Sequence, residues 1–139
     1  MPQQSPLPDE VDQKFWAACN DGRLVIPYCT ACRSFRFPPA GECWVCGSTA
    51  LSWREVSTHG TVYTYAVIHD TPITQLKADL PYVVAVVELD DADGVNLVAQ
   101  VSNESAGKVG MDAPVVLEFA ATPGTGQKVP VARVVEPSF

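Results

Sequence analysis

Residues 29–46 read Cys-Thr-Ala-Cys-Arg-Ser-Phe-Arg-Phe-Pro-Pro-Ala-Gly-Glu-Cys-Trp-Val-Cys and contain four of the five cysteines in this 139-residue chain. The two-residue gap in each Cys-x2-Cys pair lets both thiolates reach one metal ion, and two pairs complete a tetrahedral shell of four sulfurs. Because the protein fills every position of that shell, none is left for the water that a catalytic metal needs. The pattern therefore predicts a structural metal site with the ligands Cys29, Cys32, Cys43 and Cys46.

A tetrahedral site of four sulfurs suits both zinc and iron. Single-iron electron carriers consist of little beyond their metal site, whereas most of this chain lies outside the cysteine pairs. We therefore expect structural zinc, and a rubredoxin-like electron carrier is the weaker alternative. Cys19 stands apart from the pairs and is expected to be a small buried side chain rather than a nucleophile.

Short strands around the cysteine pairs complete a zinc ribbon. Strands are predicted at residues 23–26, 35–37 and 51–56, and Pro38-Pro39 ends the middle one. We assign residues 23–56 to the ribbon.

The segment before the ribbon, residues 1–22, is predicted to hold a proline-rich tail and a short amphipathic helix. Apolar side chains recur at helical spacing from residue 9 to residue 19, Asp9 is placed to cap the helix, and Asn20-Asp21-Gly22 supplies a stop signal. A helix this short needs a surface to cover with Phe15 and Trp16, either the body of its own chain or a partner.

The region from residue 57 to residue 139 is β-rich. Five strand candidates, separated by turn-forming residues, lie at 61–68, 82–89, 95–101, 114–121 and 129–135. Five such strands suit a small closed barrel such as the OB-fold. The chain is thus predicted to be mainly β, with a short N-terminal helix, a zinc ribbon and a five-stranded OB-fold barrel.

The charge balance restricts the partners. Nine Lys and Arg residues against sixteen Asp and Glu residues give a net charge of −7, which opposes binding to nucleic acid or anionic lipid. A nucleic-acid-binding ribbon and barrel is therefore kept only as an alternative function. The polar start of the chain lacks a signal-peptide pattern and no apolar run is long enough to span a membrane, so we expect a cytoplasmic protein.

The ribbon is locally basic. Residues 23–54 contain four arginines and a single acidic residue, Glu42. Arg33 and Arg36, beside the cysteines, are candidates for binding a phosphate through bidentate hydrogen bonds, and the alternative is that both are solvated on a ribbon face.

Familiar catalytic motifs are absent from the sequence, including Gly-x-Ser-x-Gly, the phosphate-binding Gly-x4-Gly-Lys-Ser/Thr loop and His-Glu-x2-His. His59 and His69 adjoin turn residues and are expected at the surface. We assign no catalytic residue and predict that the chain is not an enzyme by itself.

The motifs, taken in order, resemble those of the DUF35 family, described as a rubredoxin-like zinc ribbon joined to an acyl-CoA-associated OB-fold. The resemblance covers nearly the whole chain from Phe15 onward. It is carried by Phe15-Trp16, Tyr28-Cys29-x2-Cys32, Phe37-Pro38-Pro39, Cys43-x2-Cys46-Gly47, Trp53-x-Glu55-Val56, Gly60-Thr61-Val62-Tyr63-x-Tyr65, Pro81-Tyr82-Val83-Val84-Ala85-x-Val87-Glu88-Leu89 and Val109-Gly110-Met111. Where the family often has Gly after the second cysteine, this chain has Arg33.

The resemblance implies an accessory subunit that binds a thiolase-like or related acyl-CoA enzyme and helps to hold CoA or acyl-CoA. Catalysis would belong to the partner, because thiolase chemistry needs a nucleophilic cysteine and histidine bases on a larger fold. The phosphate assigned to Arg33 and Arg36 would then be a phosphate of CoA.

Overall fold

The computed structural model describes residues 5–135, so residues 1–4 of the predicted tail and residues 136–139 of the predicted barrel region lie outside the described residues. Its elements, in chain order, are helix α1 (Gln13–Asn20), strands β1 (Leu24–Cys29), β2 (Ser34–Phe35), β3 (Leu51–Val56) and β4 (His59–Ile68), a 3-10 helix (Thr74–Asp79), strands β5 (Tyr82–Leu89) and β6 (Asn96–Val101), a second 3-10 helix (Asn103–Lys108), and strands β7 (Pro114–Ala121) and β8 (Lys128–Val134). The prediction of a mainly β chain with one short α-helix is confirmed.

The ribbon is a three-stranded antiparallel sheet in the order β2-β1-β3. The central strand β1 pairs with β3 along its whole length, from Leu24 opposite Val56 to Cys29 opposite Leu51. The strand predicted at residues 35–37 is shorter and lies at Ser34–Phe35. Pro38 restricts the backbone of the residue before it, which favours an early end to this strand.

The five remaining strands form a closed barrel in the order β4-β5-β6-β8-β7, with β7 returning to β4. Neighbouring strands are antiparallel except β6 and β8, which are parallel. Gly60 lies where β4 is paired on both sides, and a Cβ atom there would come within 2.5 Å of the backbone oxygen of Glu88. Only glycine therefore allows β4 to approach β5 closely at the barrel closure.

The ribbon and the barrel share one hydrophobic core. Barrel side chains such as Val62 and Val115 belong to the same buried cluster as Leu24 and Ile26 of β1 and Phe15 of α1. The helix thus covers the body of its own chain, which was one of the two alternatives for its apolar face. The turn-forming residues between the predicted strands located all five barrel strands to within two residues of their bounds.

The helix begins later than predicted. The prediction placed its start and cap at Asp9, whereas α1 begins at Gln13. The Asp9 carboxylate instead accepts hydrogen bonds from the backbone N–H groups of Val11 (2.8 Å) and Asp12 (3.0 Å) and stabilises a separate turn. The predicted stop is confirmed, because α1 ends at Asn20 and Gly22 has a φ of +73°. Within residues 5–135, no helix has the length and apolar character needed to cross a bilayer.

We expect Leu24→Ala to destabilise the whole chain rather than the ribbon alone. Leu24 is 1% exposed in the shared core, and truncation of such a residue costs about 2–5 kcal/mol. Leu7→Ala is the matched control, because Leu7 is 84% exposed and its loss should cost less than about 0.5 kcal/mol. Urea unfolding followed by circular dichroism measures both effects, and equal stability of the two variants would contradict a shared core.

Candidate functional site

Four cysteine sulfurs meet at one end of the ribbon sheet. Their Sγ atoms lie within 4.8 Å of one another. The Sγ atoms of Cys29 and Cys46 are 3.6 Å apart, and those of Cys32 and Cys43 are 3.8 Å apart. Zinc–sulfur bonds of about 2.3 Å in a tetrahedral site separate the sulfurs by about 3.8 Å. The four cysteines that the spacing singled out therefore fit a single tetrahedral zinc ion.

A left-handed residue follows each cysteine pair. Arg33 has a φ of +57° after the first pair, and Gly47 has a φ of +75° after the second. In the second pair, the N–H of Gly47 donates a hydrogen bond to the carbonyl oxygen of Cys43 at 2.8 Å. This backbone conformation costs a residue with a Cβ atom roughly 1 kcal/mol or more. Arg33 thus adopts the left-handed conformation although it is not glycine.

The backbone around the sulfurs favours thiolates. The pKa of the Cys43 thiol is lowered to about 6, first by the backbone N–H of Cys46 and further by the N–H of Val45 and the guanidinium of Arg36. The pKa of Cys29 is also lowered, first by the backbone N–H of Cys32. The pKa of Cys46 is raised to about 11, because hydrogen bonds with neighbouring sulfurs, together with burial, outweigh the opposing effect of the backbone N–H of Ser48. Four groups this close ionise together only when a cation compensates their charges.

Arg36 is directed at the cysteine cluster. Its Nη2 lies 3.7 Å from the Sγ of Cys32, and its Nη1 donates to the carbonyl oxygen of Phe35 at 2.8 Å. The hydrogen bond to Cys43 is the main reason why the pKa of this guanidinium is raised. A divalent ion leaves two negative charges on four thiolates, so a cationic side chain at this position stabilises the loaded site.

Arg33 lies elsewhere, in a groove of about 420 Å³ between the ribbon and the barrel. We call it the arginine groove; it is lined by Tyr28, Arg33, Ser34, Phe35 and Arg54 and, opposite them, by Asp90, Asp91 and Asp93. The guanidinium of Arg54 sits 3.6 Å from the centroid of the Tyr28 ring, at cation–π distance. Of the two arginines predicted to bind phosphate, only Arg33 lines this groove, together with Arg54.

Arg54 was not among the candidate site residues predicted from the sequence. The position of Arg54 follows from the register of the ribbon, in which Ser52 lies directly opposite Tyr28 on the neighbouring strand. Arg54, two residues further along, is then diagonal to the ring and within reach of it. The register itself could not be derived from the residue pattern alone.

A mainly apolar groove of about 430 Å³ lies where α1, the ribbon and the barrel meet. We call it the junction groove; it is lined by Asp12, Phe15, Trp16, Phe37, Pro38, Pro39, Asn96, Leu97, Val98 and Pro130. Its volume and lining are typical of sites that hold the apolar part of a small ligand. The groove could not be predicted from the sequence, because its walls come from four separate segments of the chain.

The remaining sequence candidates are placed as expected. His59 and His69 are both exposed. Cys19 is fully buried in the core, and this burial raises the pKa of its thiol to about 12. A thiol with so high a pKa is a poor nucleophile, which agrees with a packing role.

Two family models match consecutive parts of the chain. The model described as the ChsH2 rubredoxin-like zinc ribbon domain matches residues 16–52. The model described as the ChsH2 C-terminal OB-fold domain matches residues 53–120.

Two curated proteins resemble the chain in sequence. A DUF35 domain-containing scaffold protein of Methanocaldococcus jannaschii is 32% identical over 97 residues, which is 68% of this chain and 67% of that protein. A probable enoyl-CoA hydratase alpha subunit of Thermomonospora curvata is 38% identical over 109 residues, which is 78% of this chain. The matched region spans only 33% of the hydratase subunit.

Two solved structures resemble the chain in fold. A chain of the Ltp2-ChsH2(DUF35) aldolase superposes with a TM-score of 0.79 at 33% identity, covering 94% of this chain and 98% of that one. A DUF35 protein of unknown function from Sulfolobus solfataricus superposes with a TM-score of 0.61 at 15% identity, covering 88% of this chain and 84% of that one. The second likeness concerns the fold alone.

We expect about one zinc ion per chain, held by the four clustered cysteines. Cys43→Ser should lose stoichiometric zinc and stability, because it removes one of four ligands from a closed shell. Cys19→Ala is the matched control and should keep its zinc, since Cys19 is not part of the cluster. Elemental analysis by mass spectrometry measures the metal, and full zinc in the Cys43→Ser protein, or a red iron-containing wild type, would contradict the assignment.

Arg36→Met should weaken zinc binding by about 10–100-fold, because groups that support metal ligands typically contribute this much to affinity. Arg54→Met is the control, since that arginine belongs to the same ribbon but contacts Tyr28. Competition with a chromophoric chelator measures both affinities. Identical zinc affinities in the two variants would show that Arg36 does not support the cluster.

Proposed function

Because the chain belongs to the DUF35 family, we propose that it is a noncatalytic accessory subunit that binds a thiolase-like, acyl-CoA-processing enzyme and helps to hold CoA or acyl-CoA. In this role zinc is structural and the chemistry takes place on the partner. The cysteines expected to bind zinc must stay reduced, which favours the cytoplasm as the site of action.

The names of the relatives support a partner and a CoA ligand. One relative is named a DUF35 domain-containing scaffold protein, and one similar solved structure is an Ltp2-ChsH2(DUF35) aldolase. Another relative is named as a subunit of an enoyl-CoA hydratase. Each name describes the relative, and the transfer of an enzyme partner and of CoA chemistry to this chain is our proposal.

The junction groove is the observation that carries the ligand part of the proposal. Its walls are mostly apolar and its volume of about 430 Å³ suits an acyl chain or the pantetheine arm of CoA. Val98, at 67% exposure, leaves an apolar wall of the groove accessible to such a ligand. Each methylene group buried there contributes about 0.8 kcal/mol, which is roughly a fourfold gain in affinity.

Arg33 is the better of the two predicted phosphate contacts. Arg36 already donates to Phe35 and to the cysteine cluster, whereas Arg33 is exposed beside Arg54 in the arginine groove. Three carboxylates on the opposite side of that groove oppose a phosphate. We therefore expect weak CoA binding by the chain alone and stronger binding when the partner supplies further positive charge.

Native co-purification followed by calorimetry tests this function. The tagged chain should retain a thiolase-like enzyme, and the pure chain should show no thiolysis or hydrolysis of acyl-CoA. In the complex, Arg33→Gly should weaken CoA binding by about 1–3 kcal/mol, roughly five- to more than a hundredfold. Glycine is the replacement because Arg33 has a positive φ, and Arg133→Ala is the control because that arginine pairs with Glu118 on the barrel.

A second measurement on the same complex compares its affinity for long-chain acyl-CoA with its affinity for free CoA. Val98→Asp should weaken the binding of long-chain acyl-CoA and leave free CoA nearly unaffected, because the change places a charge in an apolar groove. Absence of any acyl-CoA enzyme from the native complex, or robust turnover by the pure chain, would overturn the proposed function. Normal CoA affinity in Arg33→Gly would overturn only the arginine contact.

A further inference from the structure

The hairpin formed by β4 and β5 continues beyond the point where the barrel closes. β4 pairs with β7 only over residues 59–61, and Val62 adds two backbone hydrogen bonds to the turn before β7. β4 nevertheless remains paired with β5 as far as residue 68. We call residues 63–68 and 82–86 the hairpin arm.

The outer edge of β4 is unpaired along this arm. Within residues 5–135, no strand pairs with that edge after Val62. Proteins usually protect such edges with charged side chains, proline or bulges. Residues 63–68 read Tyr-Thr-Tyr-Ala-Val-Ile, and the one register shift lies at the base of the arm, between Val62 and Thr64. The edge is therefore free to accept another strand.

The side chains along this edge form an exposed, uncharged patch. Tyr63 is 58% exposed, Tyr65 39% and Val67 44%, and Met111, from the turn that bonds to Val62, is 62% exposed. Residues 56–69 and 80–87 contain no Asp, Glu, Lys or Arg, although the chain carries a net charge of −7. Exposed aromatic and Met side chains beside an uncharged pair of strands are typical of the core of a protein interface.

A second copy of the chain is a poor occupant for this edge. Two arms paired edge to edge would use about six residues from each copy, whereas a stable interface uses roughly 20–30 residues a side. Such a pairing would also bring together two chains that each carry a net charge of −7. The arm suits a larger interface with a different protein.

We propose that the hairpin arm is the docking site for the enzyme subunit, which adds an uncharged strand to the free edge of β4 and covers Tyr63, Tyr65 and Val67. This inference rests on the proposed function, which supplies the partner. Backbone hydrogen bonds along the added strand provide affinity, and the exposed side chains determine its register.

The test compares Val67→Lys and Tyr63→Lys with Val11→Lys. Val11 is a matched control, because it is 42% exposed and Val67 is 44% exposed. The probe is the thiolase-like subunit that co-purifies with the wild-type chain, and its Kd is measured by biolayer interferometry. Both arm variants should weaken binding by at least about tenfold, while Val11→Lys binds like the wild type.

Hydrogen exchange on the wild-type complex gives an independent measurement. The backbone amides of residues 63–68 that do not bond to β5 should exchange more slowly when the enzyme subunit is bound. This readout uses the unmodified chain, so it decides the question even if a lysine variant fails to fold.

The possible failures are distinguishable. If the wild-type chain binds no acyl-CoA enzyme, the proposed function fails and the docking site fails with it. If the enzyme binds the wild type and both arm variants equally well and leaves exchange in the arm unchanged, only the docking site is overturned. A wild-type dimer in sedimentation that Val67→Lys dissociates would assign the arm to a second copy and would also overturn the proposal.

Discussion

The meeting of four cysteine sulfurs at the end of β1 is the constraint on which the rest of the structure depends. A ribbon whose strand β2 has only two residues cannot bury a core of its own. β1 solves this problem because it carries Cys29 into the cluster at one end and buries Leu24 and Ile26 in the barrel core at the other. A metal ion that holds the sulfurs therefore also fixes the strand that joins the ribbon to the barrel.

The features that the sequence predicted well are those with a local signal. The ligand spacing within each cysteine pair involves only four consecutive residues. Strands β3, β5 and β7 were likewise predicted with the bounds that they have in the structure. The start of the helix was missed because the Asp9 carboxylate bonds to the nearby backbone and stabilises a competing turn. The junction groove has no local signal, since residues far apart in the chain form its walls.

Arg33 and Arg36 lie close together in the sequence but have different surroundings in the structure. Arg33 has a left-handed backbone, and Arg36 lies three positions further along the chain. The guanidinium of Arg36 lies near the sulfur of Cys32, whereas Arg33 lines a groove that three aspartates also line. A count of charges treats the two side chains as equivalent, whereas Arg36 contacts the cysteine cluster and Arg33 lines a groove.

The longest strand of the barrel, β4, uses only part of its length to close the barrel. Pairing of β4 with β7 over only residues 59–61 suffices because Gly60 allows close approach and because the shared core, rather than a long ladder, holds the sheets together. Beyond Val62, β4 still pairs with β5, but within residues 5–135 no strand pairs with its outer edge. An uncharged strand edge that is left unpaired invites aggregation unless another strand covers it, and the proposed docking of an enzyme subunit would provide that cover.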